Sequence, residues 1–396
     1  MTDVAAGLPD WDLTDDELRA AGSVKWTWEA PDVLPAWVAE MDVRPCPPVR
    51  QAVRDGVERA AFGYPPRDQD TGVPEATAAF LERRFGWQVD PASVITTGDV
   101  MAAVRLTLEA LCEEAPVVVP VPSYPPFLHV VPLTGRELVM VATRGDDDGG
   151  LDLGAIEAAL AAGARTVLLA HPHNPLGRSF DRTELTALRD VVVRHGARVI
   201  SDEIHAPLVL PAPAGVGSGV RHLPYAGLPG TADHTTTVVA ASKAFNVPGL
   251  KCAQLLAGNS ADLAALQAQP HVANHGVSSL GLAATLAAYE HGEPWLDGLL
   301  TDLAARRDQF AALLAEQLPQ LAWSPQQATY LAWLDAGPTG LADPAAAALA
   351  DGRVFVMGGQ GFDPTGAHDA FVRVNLATSA ERLERIVAGL ATAWSR

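Results

Sequence analysis

Short apolar runs bounded by turn-forming residues recur through the middle of the chain: APVVVP at 115–120, RELVMVA at 136–142, RTVLLA at 165–170, ARVISD at 197–202, TTTVVAAS at 235–242 and AQLLAG at 253–258. Between several of them lie helical patterns, Val100–Glu113, Leu153–Ala162, Arg182–His195 and Ala261–Gln267. Strands that are apolar throughout and alternate with helices predict an α/β architecture, a mainly parallel sheet covered by helices on both faces. From about residue 290 the pattern changes. A long helix, Trp295–Gln317, precedes strand-like TYLAWLD at 329–335, an Ala-rich helix over 341–350, RVFVMG at 353–358, FVRVNLA at 371–377 and a last helix from Ser379. This reads as a smaller α+β domain. The expected organisation is residues 62–289 as the large domain and 290–396 as the small one. Residues 1–61, too short for a core of their own, are expected to pack with the small domain.

Composition narrows the function classes. The 396 residues carry 28 Lys+Arg and 47 Asp+Glu, a formal charge of −19. That balance argues against nucleic-acid or anionic-membrane partners, which need a cationic footprint. A hydrophobic fraction of 48% supplies a sizeable core and excludes bulk disorder. Cys46, Cys112 and Cys252 lie too far apart to form a disulfide framework or a thiolate zinc site, so a reducing, cytoplasmic setting is expected. The N-terminal MTDVAAGLPDWDLTDDE is acidic and shows no signal peptide, and no apolar run reaches membrane-spanning length.

In an open α/β sheet, ligands sit beyond the carboxyl ends of the strands. Four predicted strand ends carry polar groups: the loop TTGDV at 96–100, HPHNPLGR at 171–178, SDEIH at 201–205 and SKAFNVPGLK at 242–251. Asp202 is delivered to the sheet edge, where a carboxylate can pair with a protonated ring nitrogen or a metal. Lys243 lies in an apolar stretch, and desolvation of an amine lowers its pKa and suits it to Schiff-base chemistry. Asn174 precedes a proline that restricts its backbone. Gly98, Asp99 and Val100 open a helix whose free N–H groups suit a phosphate. Tyr124, in the stiff turn PSYPPF, suits stacking on a flat ring. Arg373 interrupts a hydrophobic strand and needs an anionic partner, for which a substrate carboxylate is suited. The pair His171 and His173 lacks a third ligand, and the NP turn explains the segment, so no metal is expected. Asp146–Asp148 with Gly149-Gly150 reads as a solvated hairpin rather than a calcium loop, and GVGSG at 215–219 as a loop rather than a dinucleotide fingerprint.

A Schiff-base lysine, an acidic partner, an aromatic platform, an amide, a phosphate loop and a carboxylate-binding arginine together match the needs of pyridoxal 5'-phosphate. The chain resembles the fold-type I pyridoxal-phosphate enzymes of the class I/II aminotransferase superfamily, and within them the MalY/PatB branch of cystathionine β-lyases and C–S lyases. The resemblance rests on LPAWVAEMDV at 34–43, FGYPP at 62–66, VPSYPPF at 121–127, HPHNPLGR, SDEIHAPLVL at 201–210, SKAFNVPGL at 242–250 and FVRVNLAT at 371–378. It implies that Lys243 is the coenzyme-bound and catalytic lysine, that Asp202 serves the pyridine nitrogen and that Asn174 lies near the phenolic oxygen. His205 falls where aminotransferases carry a tyrosine. Tyr124 matches the stacked residue, Ser242 and the Gly98–Val100 loop the phosphate site, and Arg373 the α-carboxylate site. Tyr64 matches a tyrosine that reaches the phosphate of the neighbouring subunit, implying a homodimer, though a plain turn aromatic is the rival reading. Trp37 lines the substrate pocket or anchors the N-terminal segment. Two departures stand out: Lys251 occupies the place of a phosphate-clamping arginine, and Asp99 puts a carboxylate into the phosphate loop.

The activity implied is β-elimination from a cysteine-derived amino acid such as cystathionine, with Lys243 moving the Cα proton and release of thiol, pyruvate and ammonia. The alternatives are an aminotransferase using a 2-oxo acid and a regulatory protein of the same fold with weak lyase activity.

Overall fold

The computed structural model describes residues 7–144, 149–212, 219–321 and 323–395, except for the side chain of His271. Asp146–Asp148 and 215–218 of the GVGSG segment lie outside the described residues.

The six predicted apolar runs supply β2 to β7 of a seven-stranded sheet: β1 (Val94–Thr97), β2 (Val117–Val121), β3 (Leu138–Ala142), β4 (Thr166–Ala170), β5 (Arg198–Asp202), β6 (Thr235–Val239) and β7 (Ala253–Ala257). Their order is β1-β7-β6-β5-β4-β2-β3. Strands β2 to β6 run parallel, and β7 alone is antiparallel to its two neighbours, β1 and β6. Alternate side chains serve opposite faces, as the two-residue period of a strand dictates. Val117, Val119 and Leu168 pack with Val104, Leu108, Phe127 and Val131 on one side. Val118, Val167 and Leu169 pack with Ile156, Leu160, Leu185 and Leu188 on the other. Each such fully buried side chain contributes about 1.5–3 kcal/mol relative to exposure. The mainly parallel α/β sheet expected from the run pattern is the one found.

Two readings change in detail. Thr96 and Thr97, expected in the loop 96–100, are the last two residues of β1; the run VITT is short but β-branched, and its four residues pair with β7. The run 235–242 stops as a strand at Val239, and Ala241–Ala244 turns into one helical turn that carries Lys243.

A second, antiparallel sheet consists of β8 (Leu331–Asp335), β9 (Met357–Gly358) and β10 (Phe371–Asn375), in the order β9-β10-β8. Helices Glu293–Gln317 and Ala380–Trp394 cover it with Phe310, Leu314, Leu383, Ile386 and Leu390. RVFVMG divides at Val356: Val354–Phe355 pairs in parallel with Leu34–Pro35, and Met357–Gly358 pairs with β10. The first 61 residues accordingly share their contacts. Leu34 and Ala36 enter the core of the second sheet. Met41, Val43, Cys46 and Val49 instead join Phe245, Tyr289 and Trp295.

The helix Ser279–His291 lies against the backbone that follows Lys243. A Cβ on Gly281 would stand 2.1 Å from the carbonyl oxygen of Leu250. Because the obstacle is backbone, Gly281→Ala should destabilise the fold by about 1–3 kcal/mol. Urea denaturation checks this: an unchanged midpoint would contradict the close approach.

Candidate active site

The carboxyl ends of β1, β4, β5 and β6 point to one edge of the large sheet, and the segments leaving them meet β10 of the second sheet across a cleft of about 240 Å³. Lys243, Asp202, Asn174, His205, Tyr124, Asp99, Val100, Ser242, Lys251 and Arg373 all line it. Residues as distant in sequence as Asp99 and Arg373 are thus brought together. Gly98 lies just behind the lining, where a Cβ would stand 3.0 Å from the carbonyl oxygen of Gly276.

Lys243 sits on the helical turn after β6 and donates from Nζ to the carbonyl oxygen of Ala39 at 2.7 Å. Desolvation, reinforced by the nearby Arg373 guanidinium, pulls its pKa down to about 8. A substantial fraction of the amine is therefore neutral near pH 7–8. Asp202 closes β5 and accepts the N–H of Ile204 at 3.1 Å. Burial pushes its carboxyl up to about 7, so a cationic partner entering the cleft is what would restore full ionisation. His205 is buried at the start of the turn that leaves this strand, its Nδ1 has no hydrogen-bond partner, and desolvation lowers its pKa to about 3.

Arg373 reaches the cleft from β10. Its Nη1 donates to Asn174 Oδ1 at 3.1 Å and its Nη2 to the carbonyl oxygen of Trp37 at 2.7 Å. Its Nε is buried and without a partner, and the guanidinium lies 4.8 Å from the ring centre of Phe362. Desolvation lowers its pKa to about 10. Tyr124 stands edge-on to Phe127, with ring centres 5.6 Å apart, and burial raises its hydroxyl.

The opposite end of the cleft begins the helix Val100–Leu111. Asp99 caps it, Oδ1 accepting the N–H of Ala102 at 2.8 Å, and its Oδ2 meets Lys251 Nζ at 2.8 Å. Lys251 thus has a carboxylate partner.

Besides Gly98, two expected residues lie outside the cleft lining. The Trp37 indole packs against Trp28 and Phe355 and donates to the carbonyl oxygen of Lys25, so this residue meets the site through its backbone carbonyl. Tyr64 is 96% exposed, with Phe62, on a surface shared with Val277 and Leu280. The imidazole of His171 is held by the carbonyl oxygen of Leu223 at 3.0 Å and stacks on Phe180. Among the described residues no group of three or more His, Cys, Asp or Glu is placed to hold a metal.

Sequence reasoning missed the strap at 36–43. Asn375 donates to the carbonyl oxygens of Val38 and Glu40 at 2.7 and 2.6 Å. Asn246 exchanges hydrogen bonds with the backbone of Met41. Buried Lys25 bridges Glu40 O and the Asp42 carboxylate at 3.0 and 2.8 Å. The signal available was Asn375 itself, two residues beyond Arg373 and hence on the same strand face.

The buried imidazoles predict acid sensitivity. His173 and His205 stay neutral in the fold down to about pH 3, whereas an unfolded histidine takes up a proton below about 6.5. Their stabilisation is present above about 6.5 and falls as pH drops toward 3, by up to about 1.4 kcal/mol per pH unit for each. Asp202 acts oppositely, because its raised pKa lets the fold hold a proton that the unfolded chain releases. In urea titrations between pH 6.5 and 4.5, His173→Gln should therefore flatten the loss of stability and Asp202→Asn steepen it. Equal slopes in all three proteins would contradict these placements.

Comparison with known proteins agrees with this geometry. The profile of the family "Aminotransferase class I and II" matches residues 38–390. The chain is 38% identical to cystathionine β-lyase of Corynebacterium glutamicum over 371 residues, 93% of this chain and 96% of the relative. It is 33% identical to cystathionine β-lyase PatB of Bacillus subtilis, over 95% and 98% of the two chains. A crystal structure from Corynebacterium diphtheriae, of a protein described as a candidate pyridoxal-phosphate-dependent β-cystathionase, superposes with a TM-score of 0.91 at 36% identity, covering 98% of this chain and 99% of that one. The chain belongs to the aminotransferase class I and II family, in the branch of the cystathionine β-lyases.

Proposed function

We propose that the protein is a pyridoxal-phosphate-dependent C–S β-lyase that cleaves cysteine-derived thioethers of the cystathionine type. The observation that carries this reading is the meeting of Lys243, Asp202 and Arg373 in one cleft, on a chain 38% identical to a cystathionine β-lyase. The overall conversion takes up water, breaks Cα–H and Cβ–S, and yields thiol, pyruvate and ammonia.

The donor set fits the coenzyme. A lysine with a pKa near 8, a buried carboxyl lacking a cation and a buried His205 Nδ1 lacking a partner are polar groups that an occupant would complete. Lys243 would hold the aldehyde end and Asp202 the ring nitrogen. Asn174 and His205 would serve the polar edge of the ring, and Tyr124 its face. Gly98, Asp99 and Val100 through their backbone, with Ser242 and Lys251, would serve the phosphate. Bound pyridoxal phosphate supplies an electron sink for negative charge at the substrate Cα.

The protein's own part follows from the geometry. Arg373 offers a guanidinium fork whose Nε is free and whose present acceptors are neutral, so a substrate carboxylate gains a charge-assisted pair there. That anchor orients the Cα–H bond. The Lys243 amine, neutral in part near pH 8, is the base for the Cα proton and the donor to the departing sulfur. Asp202, once paired with a cation, stays ionised and holds the electron sink positive.

The exposed Phe62 and Tyr64, beside Val277 and Leu280, support a homodimer in which Tyr64 completes the phosphate site of the other subunit. Three buried, unpaired cysteines suit a reducing, cytoplasmic setting. Among the described residues no helix is long and apolar enough to cross a membrane.

Purified protein supplied with pyridoxal phosphate should absorb in the visible, and Lys243→Ala should lose both that band and activity. With L-cystathionine and no 2-oxo acid, pyruvate should accumulate continuously. Turnover that requires an added 2-oxo acid would replace the lyase reading with an aminotransferase. Arg373→Lys keeps the charge but loses the fork, and should raise KM for the amino acid about 10- to 100-fold with the coenzyme band unchanged; an unaltered KM would remove Arg373 from the carboxylate site.

A further inference from the structure

The start of the helix Val100–Leu111 already carries an anion of its own. Asp99 takes the N–H of Ala102 with one oxygen and the Lys251 ammonium with the other, each at 2.8 Å. Hydrogen bonds and charge from Lys251 and the helix backbone more than offset desolvation and hold this carboxyl below the usual aspartate range. The two side chains line the cleft and are 54% and 44% exposed for Lys251 and Asp99, so incoming solute reaches both. The backbone that carries this lysine is fixed from behind. Lys251 adopts a left-handed backbone, φ 52°, its carbonyl accepts the N–H of Ser278, and Gly281 lies under the preceding carbonyl. The remaining cations of the lining, Lys243 and Arg373, are committed to the carbonyls of Ala39 and Trp37.

We propose that Asp99 is a built-in competitor of the coenzyme phosphate for Lys251, and that it sets how tightly this protein retains its coenzyme. The inference rests on reading the cleft as a pyridoxal-phosphate site. A carboxylate of charge −1 and a phosphate of charge near −2 must share one ammonium of charge +1. A lysine ammonium has three donors and can contact both anions, but it neutralises neither fully. The two anions also repel each other at a half-exposed position, where salt screens the repulsion only in part. Arginine, with five donors in a fork, would leave more for the phosphate.

The test measures coenzyme retention rather than turnover. Equilibrium dialysis and the rate of coenzyme loss on dilution, both read from the visible band, are compared for wild type, Asp99→Asn and Asp99→Ser. Both substitutes retain helix-capping capacity, so the helix start is preserved. Both should lower the dissociation constant of pyridoxal phosphate about 3- to 10-fold and slow its loss. The affinity for pyridoxal, which lacks the phosphate, should stay unchanged in both. Equal or weaker retention of pyridoxal phosphate in either variant would overturn the competition, as would an equal gain for pyridoxal. Failure of the wild type to bind pyridoxal phosphate at all would instead overturn the reading of the cleft, so the two failures are told apart.

Discussion

The site depends on enclosing three ionisable groups in a space that favours none of them charged. Desolvation moves Lys243 and Arg373 down, to about 8 and about 10, and Asp202 up, to about 7. Unpartnered, such a cluster would cost several kcal/mol for each ion. The protein answers with neutral acceptors. Lys243 donates to the carbonyl oxygen of Ala39, and Arg373 to that of Trp37 and to the amide oxygen of Asn174. A carbonyl satisfies an N–H without cancelling its charge. Carboxylates in the same places would have raised the lysine pKa and blocked the arginine.

That solution makes residues 36–43 part of the site although few of their side chains line it. The carbonyls must present themselves at fixed spacing, and the strap has little regular structure to fix it. Side chains do so instead: Asn375 holds Val38 and Glu40, Asn246 holds Met41, and Lys25 holds Glu40. Behind these, Asp42 is paired with Lys25 and accepts the indole N–H of Trp26, and the Arg382 guanidinium packs over that indole. An ion pair buried to this degree is weak evidence of stability; its effect here is to fix the register of the strap.

The large sheet was legible because β2, β4, β6 and β7 are buried on every residue, and an apolar or β-branched run bounded by turn residues has few other readings. Lys243, Asp202, Asn174 and Arg373 were legible because each is a polar residue where an apolar pattern stops or is broken. The strand β1 escaped notice since VITT is only four residues long and runs directly into the loop at Gly98. Partner choice escaped too: nothing in RVFVMG marks Val356 as the point where the chain leaves Leu34–Pro35 for β10. The strap was illegible for a different reason. Its contribution is made by backbone carbonyls, which every residue has, so residue identity carries no signal of it. The indole of Trp37 drew attention, while its carbonyl oxygen is the atom that meets Arg373.

On the proposed function, the same arrangement would determine how a substrate is held. Arg373 stands on β10 of the second sheet, while Lys243 and Asp202 stand on the first. Asn174 and the strap carbonyls join them across the cleft. A carboxylate arriving at Arg373 exchanges a neutral acceptor for an anion and can use the unpartnered Nε as well. At the start both Nη atoms have acceptors and the Nε–H has none; a bound carboxylate would add charge attraction and a partner for Nε, so the filled site would be the more stable. On the proposed function, an amino acid would be selected by substitution of one partner for a better one. The walls of the cleft beyond that anchor, including Tyr124, Ile204, Val38 and Pro172, are largely uncharged. On the proposed function, the three ionisable residues would serve return of a proton to the substrate and departure of sulfur equally, which leaves the choice to the shape of those walls and the leaving group.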